Sequence, residues 1–304
     1  MADTVEIYVK YAGPGQRLAH QVAQLLDLRG YFFNGSGFVL PVDAKPLVGV
    51  EGWAHLDLKL TDLGADGDPG LSAGTAYEPY EFEVSVEFRG PREQLGRAVF
   101  DRLTTLDLPM AYGDDSDIFA DYLPGRGVRE FSPGTRVEEP GRLLWREPGL
   151  TAERSPAPPW QVGDGAAIVC ETEGLLQVVP VVGTRWLRPV ASVRTSAGAV
   201  DIGLLLAATL DTADRPGRDD RDEVVAELAA ALRLPTGDFL RRAVSFELRV
   251  VGDEVVATAH AAHRDGAPGA VEELTGRVAV ASGPEALGAL VLDLVGALRA
   301  RVPA

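Results

Sequence analysis

Four stretches of the chain alternate apolar and polar residues without a break, and such a chain has few folds open to it. In "TVEIYVKY", Val5, Ile7, Val9 and Tyr11 share one face, and Thr4, Glu6, Tyr8 and Lys10 the other. "WAHLDLKL" sets Ala54, Leu56, Leu58 and Leu60 against His55, Asp57 and Lys59. "FEVSVEF" sets Phe82, Val84, Val86 and Phe88 against Glu83, Ser85 and Glu87. "AVSFELRV" sets Val244, Phe246, Leu248 and Val250 against Ser245, Glu247 and Arg249. A period of two is the signature of a strand with one apolar face. One-sided strands of this kind build antiparallel sheets that bury one face and wet the other.

The apolar faces need a cover, and helix-period segments supply it. Leu18, Val22, Leu25 and Leu26 line one side of a helix that Gly30 is expected to stop. Leu95, Ala98, Val99, Leu103 and Leu106 form the stripe of a second helix, with Pro91 at its start. Val224, Val225, Leu228, Ala231 and Leu232 mark a third, which Pro235 and Gly237 should end. Leu287, Leu290, Val291, Leu294 and Leu298 mark the last. Turns are signalled by Asn34-Gly35 and by Gly252-Asp253.

Two of these helices begin with nearly the same phrase. "GPREQLGRAVFDRL" starts at Gly90 and "GPEALGALVLDLV" at Gly283. They align Leu95 with Leu287, Gly96 with Gly288, Val99 with Val291 and Asp101 with Asp293. A glycine inside a helix costs about 1 kcal/mol relative to alanine, so the shared glycine implies close backbone packing, helix on sheet. With Val200–Leu210 read as a strand, the order β-α-β-β-β-α occurs twice. The expected fold is therefore α+β. It has two related halves, residues 1–112 and 199–304, each an antiparallel sheet with helices on one face. An irregular, partly β central region, residues 113–198, joins them. There, "AAIVCETEGLLQVVPVV" reads as two strands around a Glu-Gly turn, forming a small β unit or adding strands to a flanking sheet. "EPGLTAERSPAPPW" reads as a linker.

The net charge of −16 over 304 residues disfavours a phosphate backbone as partner and favours a basic protein. A single cysteine, Cys170, allows no internal disulfide and fits a reducing cytoplasm. The start of the chain lacks the pattern of a signal peptide. The apolar runs at 203–210 and 287–298 fall short of the roughly 20 residues of a membrane helix, so no membrane partner is expected.

Motifs for chemistry fail one by one. His260 and His263 would share a helix face, but on a strand they point apart, so no metal is expected. "GDDSDIFADY" gathers Asp114, Asp115, Asp117 and Asp121, yet counting from Asp115 puts Ala120 and Arg126 where a calcium loop needs Gly and Glu. "PGRGVR" lacks the Lys-Ser/Thr of a phosphate loop. Cys170 sits in an apolar run with no base in view. No cofactor is implied.

What remains is a non-catalytic interaction protein, in its sharpest form an immunity- or antitoxin-like protein that masks a basic partner. Acidic and aromatic loop residues are the candidates for contact: Asp114, Asp115, Asp117, Tyr122 and Trp160. One alternative is a small-molecule binder with a pocket between sheet and helices. The other is an enzyme in which Asp115, Asp117, Glu130 and Asp201 converge.

Overall fold

The computed structural model describes residues 3–41, 47–50, 53–60, 76–77, 79–89, 92–137, 150, 159–183, 185–211, 221–260 and 274–301. Fifteen strands and six helices lie among them. The chain divides into two compact units. Unit 1 comprises Met1–Arg29 and Ser36–Pro158, and unit 2 comprises Gly30–Gly35 and Pro159–Ala304. The architecture is α+β, as the patterning requires.

Unit 1 holds β1 (Asp3–Val9), α1 (Gly15–Leu25), β3 (Gly37–Pro41), β4 (Trp53–Leu60), β5 (Phe82–Arg89), α2 (Arg92–Leu103), β6 (Met110–Gly113), β7 (Ile118–Leu123) and β8 (Gly127–Glu130). Its sheet runs β3-β4-β5-β1-β6-β7-β8, antiparallel throughout. The alternating apolar residues are buried under α1 and α2: Val5, Ile7, Val9, Leu56, Leu58, Phe82, Val84, Val86 and Phe88. A Cβ on Gly96 would lie 2.5 Å from Val5 Cγ2, so this glycine lets α2 sit down on β1, helix on sheet.

Helix α1 ends earlier than the sequence suggests. Leu28 N–H donates to the Ala23 carbonyl, Asp27 N–H donates to the Gln24 carbonyl, and Asp27 takes a left-handed φ of 56°. This is a Schellman stop closed by Asp instead of Gly. Gly30 serves close approach instead: a Cβ there would lie 2.5 Å from the Val190 carbonyl oxygen.

Unit 2 holds β2 (Gly30–Phe33), β9 (Ala166–Thr172), β10 (Leu175–Val182), β11 (Arg185–Trp186), β12 (Val190–Arg194), α3 (Ala199–Leu210), α4 (Arg221–Ala231), α5 (Thr236–Arg242), β13 (Val244–Val251), β14 (Glu254–His260), β15 (Thr275–Ala279) and α6 (Gly283–Arg301). Its sheet runs β15-β14-β13-β9-β10-β12-β2, with β11 beside β10. Every pair is antiparallel except β12 with β2. Helices α3 and α6 cover one face, and α4 and α5 pack on the other around Cys170, Val179, Val224, Leu228 and Phe239. Glu173 and Gly174, at φ of 54° and 80°, make the tight β9–β10 turn.

Three expectations are corrected here. Residues Val200–Leu210 form helix α3. The run has no alternation, is rich in Leu and Ala, and is buried nearly all round, which suits a core helix of twelve residues. Pro235 ends one helix and stands at the N-cap of another, α5, which the stop signal concealed. Residues Val280–Ala300 are long and apolar enough to cross a membrane by length and composition, because Ala and Gly flanks extend the leucine-rich run. In unit 2 this helix buries Leu287, Val291, Leu294 and Val295.

The second half therefore does not repeat the element order of the first. Nor do the strand positions match: β5, before α2, is interior, whereas β15, before α6, ends its sheet path. Gly288 packs on helix α3, since a Cβ there would lie 1.8 Å from the Ala199 carbonyl oxygen. The central region, residues 113–198, divides between the units, giving β7 and β8 to one sheet and β9 to β12 to the other. His263 and most of the "EPGLTAERSPAPPW" segment lie outside the described residues.

Candidate functional site

Strand register turns the second face of the unit 1 sheet into an ordered polar lattice. Lys59, Glu83 and Tyr8 lie in one row across β4, β5 and β1. Asp57, Ser85 and Glu6 lie in the next, and His55, Glu87 and Thr4 in the third. Side chains opposed in this way stand close enough to interact. The Lys59 ammonium meets Glu83 Oε1 at 2.9 Å, and the Ser85 hydroxyl donates to the same oxygen at 2.6 Å. The His55 ring lies 3.3 Å from Asp57.

Glu6 is the exception in this lattice. It is half-buried, and among the described residues its hydrogen-bond donor is the Tyr8 hydroxyl at 2.6 Å. The Lys59 cation nearest to it is already committed to Glu83. Burial is the main cause that pushes the Glu6 carboxyl up to about 7, with the charges of Glu83 and Asp115 adding to it. The Tyr8 hydrogen bond and Lys59 pull the other way without balancing them.

Beside Glu6 the sheet face goes under cover. The Tyr8 and Tyr77 rings stack with centroids 3.8 Å apart, inclined by 10°. Both belong to a buried cluster with Ala76, Tyr80, Ala111, Ile118, Val137 and Leu150. The Tyr77 hydroxyl lies 3.1 Å from the carbonyl oxygens of Asp114 and Asp117. A Cβ on Gly113 would lie 2.1 Å from that hydroxyl, so only glycine fits there. Gly113 is also the register partner of Glu6, which places the Asp114–Asp117 turn next to that carboxyl.

The turn is built by its own side chains. Asp114 Oδ1 accepts the N–H groups of Ser116 and Asp117, each at 2.9 Å. Asp115 is exposed. Asp117 faces Arg136 at 3.5 Å. Asp114, Asp115 and Asp117 thus stand together, and together with Glu6.

The other two candidates stand elsewhere. Tyr122 opposes Met110 and donates its hydroxyl to Asp107 Oδ1 at 2.7 Å. Trp160 belongs to unit 2, where its indole N–H donates to the Val280 carbonyl at 2.7 Å. Asp121 is buried against Arg129, whose guanidinium lies over the Phe131 ring. Lys10 is buried with Glu81 at 3.3 Å.

Of the carboxylates proposed for catalysis, Asp115 and Asp117 stand in the 114–117 turn of unit 1. Glu130 binds Arg97 of α2 at 2.6 Å, and Asp201 lies in the first turn of α3 in unit 2. Among the described residues no group of three or more His, Cys, Asp or Glu side chains is arranged to hold a metal ion. "PGRGVR" forms the hairpin between β7 and β8 instead of a strand-to-helix loop. Cys170 is fully enclosed, and burial pushes its thiol up to about 12. The lattice can do two things: exchange a proton near neutral pH at Glu6, and neutralise a cation placed beside it.

The residues that sequence reasoning missed are Glu6, Tyr8 and Glu83; Tyr77 stood out in the sequence as one loop aromatic among several. The usable signal was Tyr8, an aromatic side chain on the polar side of an alternating strand.

No known protein family matches this sequence, and no curated protein matches it. Two solved structures show a partial likeness. A protein of unknown function from Neisseria meningitidis is 16% identical with a TM-score of 0.37, covering 45% of this chain and 96% of that one. The CdiA-CT/CdiI toxin and immunity complex from Yersinia pseudotuberculosis is 17% identical with a TM-score of 0.33, covering 43% of this chain and 95% of that one.

Proposed function

We propose that the chain is a non-catalytic interaction protein whose unit 1 polar face receives a basic protein, in the manner of an immunity-type protein that masks its partner. One observation carries this reading. Glu6 is a half-buried carboxyl beside Glu83 and Asp115, and the nearby Lys59 is spent on Glu83. An arginine or lysine of a partner, placed there, would relieve a repulsion that the free protein has to hold. The Asp114–Asp117 turn extends the same negative field to the surface, and the net charge of −16 has the sign to steer a basic partner in.

The test is capture of partners on tagged protein at low and high salt, for the natural chain and for Glu6→Gln and Asp115→Asn. A stoichiometric basic protein that is released by salt, and held more weakly by both variants, supports the reading. A partner held equally by all three chains places the interface elsewhere and removes it.

A further inference from the structure

A continuous set of contacts leads from Glu6 to the surface turn. Glu6 accepts from Tyr8, the Tyr8 ring stacks on Tyr77, and the Tyr77 hydroxyl holds the carbonyls of Asp114 and Asp117. The turn has further ties: Asp114 N–H donates to the Asp117 carbonyl, Ile118 N–H to Thr135, and Val137 N–H to Ser116. Ala76, next to Tyr77, donates its N–H to the Val137 carbonyl. Tyr77 and the 114–117 turn therefore act as one cover over the Glu6 end of β1.

The charges around Glu6 are unequal. Glu83 approaches from β5 and Asp115 from the turn; Asp57 stands on β4. Lys59 on β4 is bound to Glu83, Arg136 to Asp117 and Lys10 to Glu81. The facing position on β6 is Gly113, which brings no charge. A proton on Glu6 keeps this corner in balance, and its loss adds a negative charge that Lys59, already bound to Glu83, offsets only in part.

We propose that Glu6 is a proton-operated latch: protonated, it keeps the cover of Tyr77 and the Asp114–Asp117 turn closed on β1, and deprotonated, it lets that cover open. The buried β1 side has no room to retreat, because Val5, Ile7 and Val9 lock the strand into the core. The exposed turn is the part that yields. The rise of the Glu6 carboxyl towards neutrality agrees with this geometry. In connection with the partner reading, on which only this clause rests, the open state is the one that admits a basic side chain to Glu6.

The experiment is amide hydrogen exchange on the full chain, natural and Glu6→Gln, at about pH 4.5, the lower end of the Glu6 window, and at about pH 8. Comparing the two chains at one pH cancels the intrinsic dependence of exchange on pH. At the lower pH the amides of Ala76, Asp114, Ile118 and Val137 should exchange alike in both. At the higher pH they should exchange roughly tenfold faster in the natural chain, with the amides of α1 and α2 unchanged. A ratio that is the same at both pH values overturns the latch, and so does a rise spread over all of unit 1. If Glu6→Gln does not fold, Asp115→Asn replaces it. Removing that repelling charge should move the opening to lower pH, and an unmoved midpoint overturns the proposal. Since no partner is present, failure here leaves the partner reading to its own test.

Discussion

One substitution made twice in helix α6 tests how α3 and α6 meet. Gly288→Ala puts a methyl 1.8 Å from the Ala199 carbonyl oxygen and 2.6 Å from its carbon, where ordinary contact begins at 3.4 Å. Both obstacles are backbone, so relief requires the helices to part. The matching close approach, where a Cβ on Gly203 would lie 1.8 Å from the Pro284 carbonyl oxygen, would open with them. Alanine gains about 1 kcal/mol in helix propensity. Overpacking a fitted contact costs about 1–3 kcal/mol and occasionally more. With rigid backbone on both sides the cost belongs at the top of that range, so Gly288→Ala should destabilise unit 2 by about 2 kcal/mol. Gly296→Ala, eight residues on in the same helix, meets nothing within 4 Å. There only the propensity gain remains, so stability should rise by about 0.5–1 kcal/mol. Urea unfolding followed by circular dichroism reads both changes as midpoint shifts. If Gly288→Ala proved as stable as the natural chain or more so, the close α3–α6 packing would be wrong.

Two further outcomes are expected. The Glu6 carboxyl holds its proton in the folded state to about pH 7, while in the unfolded chain it loses it near 4.5. The folded state therefore binds more protons between those values, and stability falls as pH rises through that window. Glu6→Gln keeps the acceptor for Tyr8 and removes the charge. It should leave stability unchanged near the lower limit and raise it by about 1–2 kcal/mol above the upper one, allowing for the solvent that reaches a half-buried group. Urea midpoints at the two ends of the window check this; equal differences at both would contradict it. Cys170 is buried with its thiol raised, so a thiol reagent should label it only on the timescale of unfolding. Rapid stoichiometric labelling of the native chain would show the α4–α5 layer to be open.

Strands were the most legible part of the sequence, because β1, β4, β5 and β13 each bury one face and so must alternate. Helices with a narrow stripe were legible for the same reason. Helix α3 was not, since burial on nearly all sides erases periodicity and leaves length and composition to decide. The recurring phrase, Gly-Pro followed shortly by Leu-Gly, gave a true local meaning, close packing at Gly96 and Gly288, but not a shared topology: one glycine faces a sheet and the other a helix. At the site, the Asp114–Asp117 cluster was visible as local charge. Its connection to Glu6 was not, because it depends on the pairing of β1 with β6, across more than 100 residues of chain. Trp160 drew notice as a loop aromatic, yet its indole is occupied within unit 2.

The six residues Gly30–Gly35 belong to unit 2 although chain of unit 1 precedes and follows them. Strand β2 pairs with β12, Gly30 opposite Val190. During synthesis at about 5–20 residues per second, β2 leaves the ribosome roughly 10–30 s before β12 exists. Tyr31 and Phe33 of this strand are both buried in the finished protein. The order of translation thus leaves the unit 2 sheet to be completed around a strand made long before the rest of it. A fragment starting at Pro159 would carry unit 2 without strand β2.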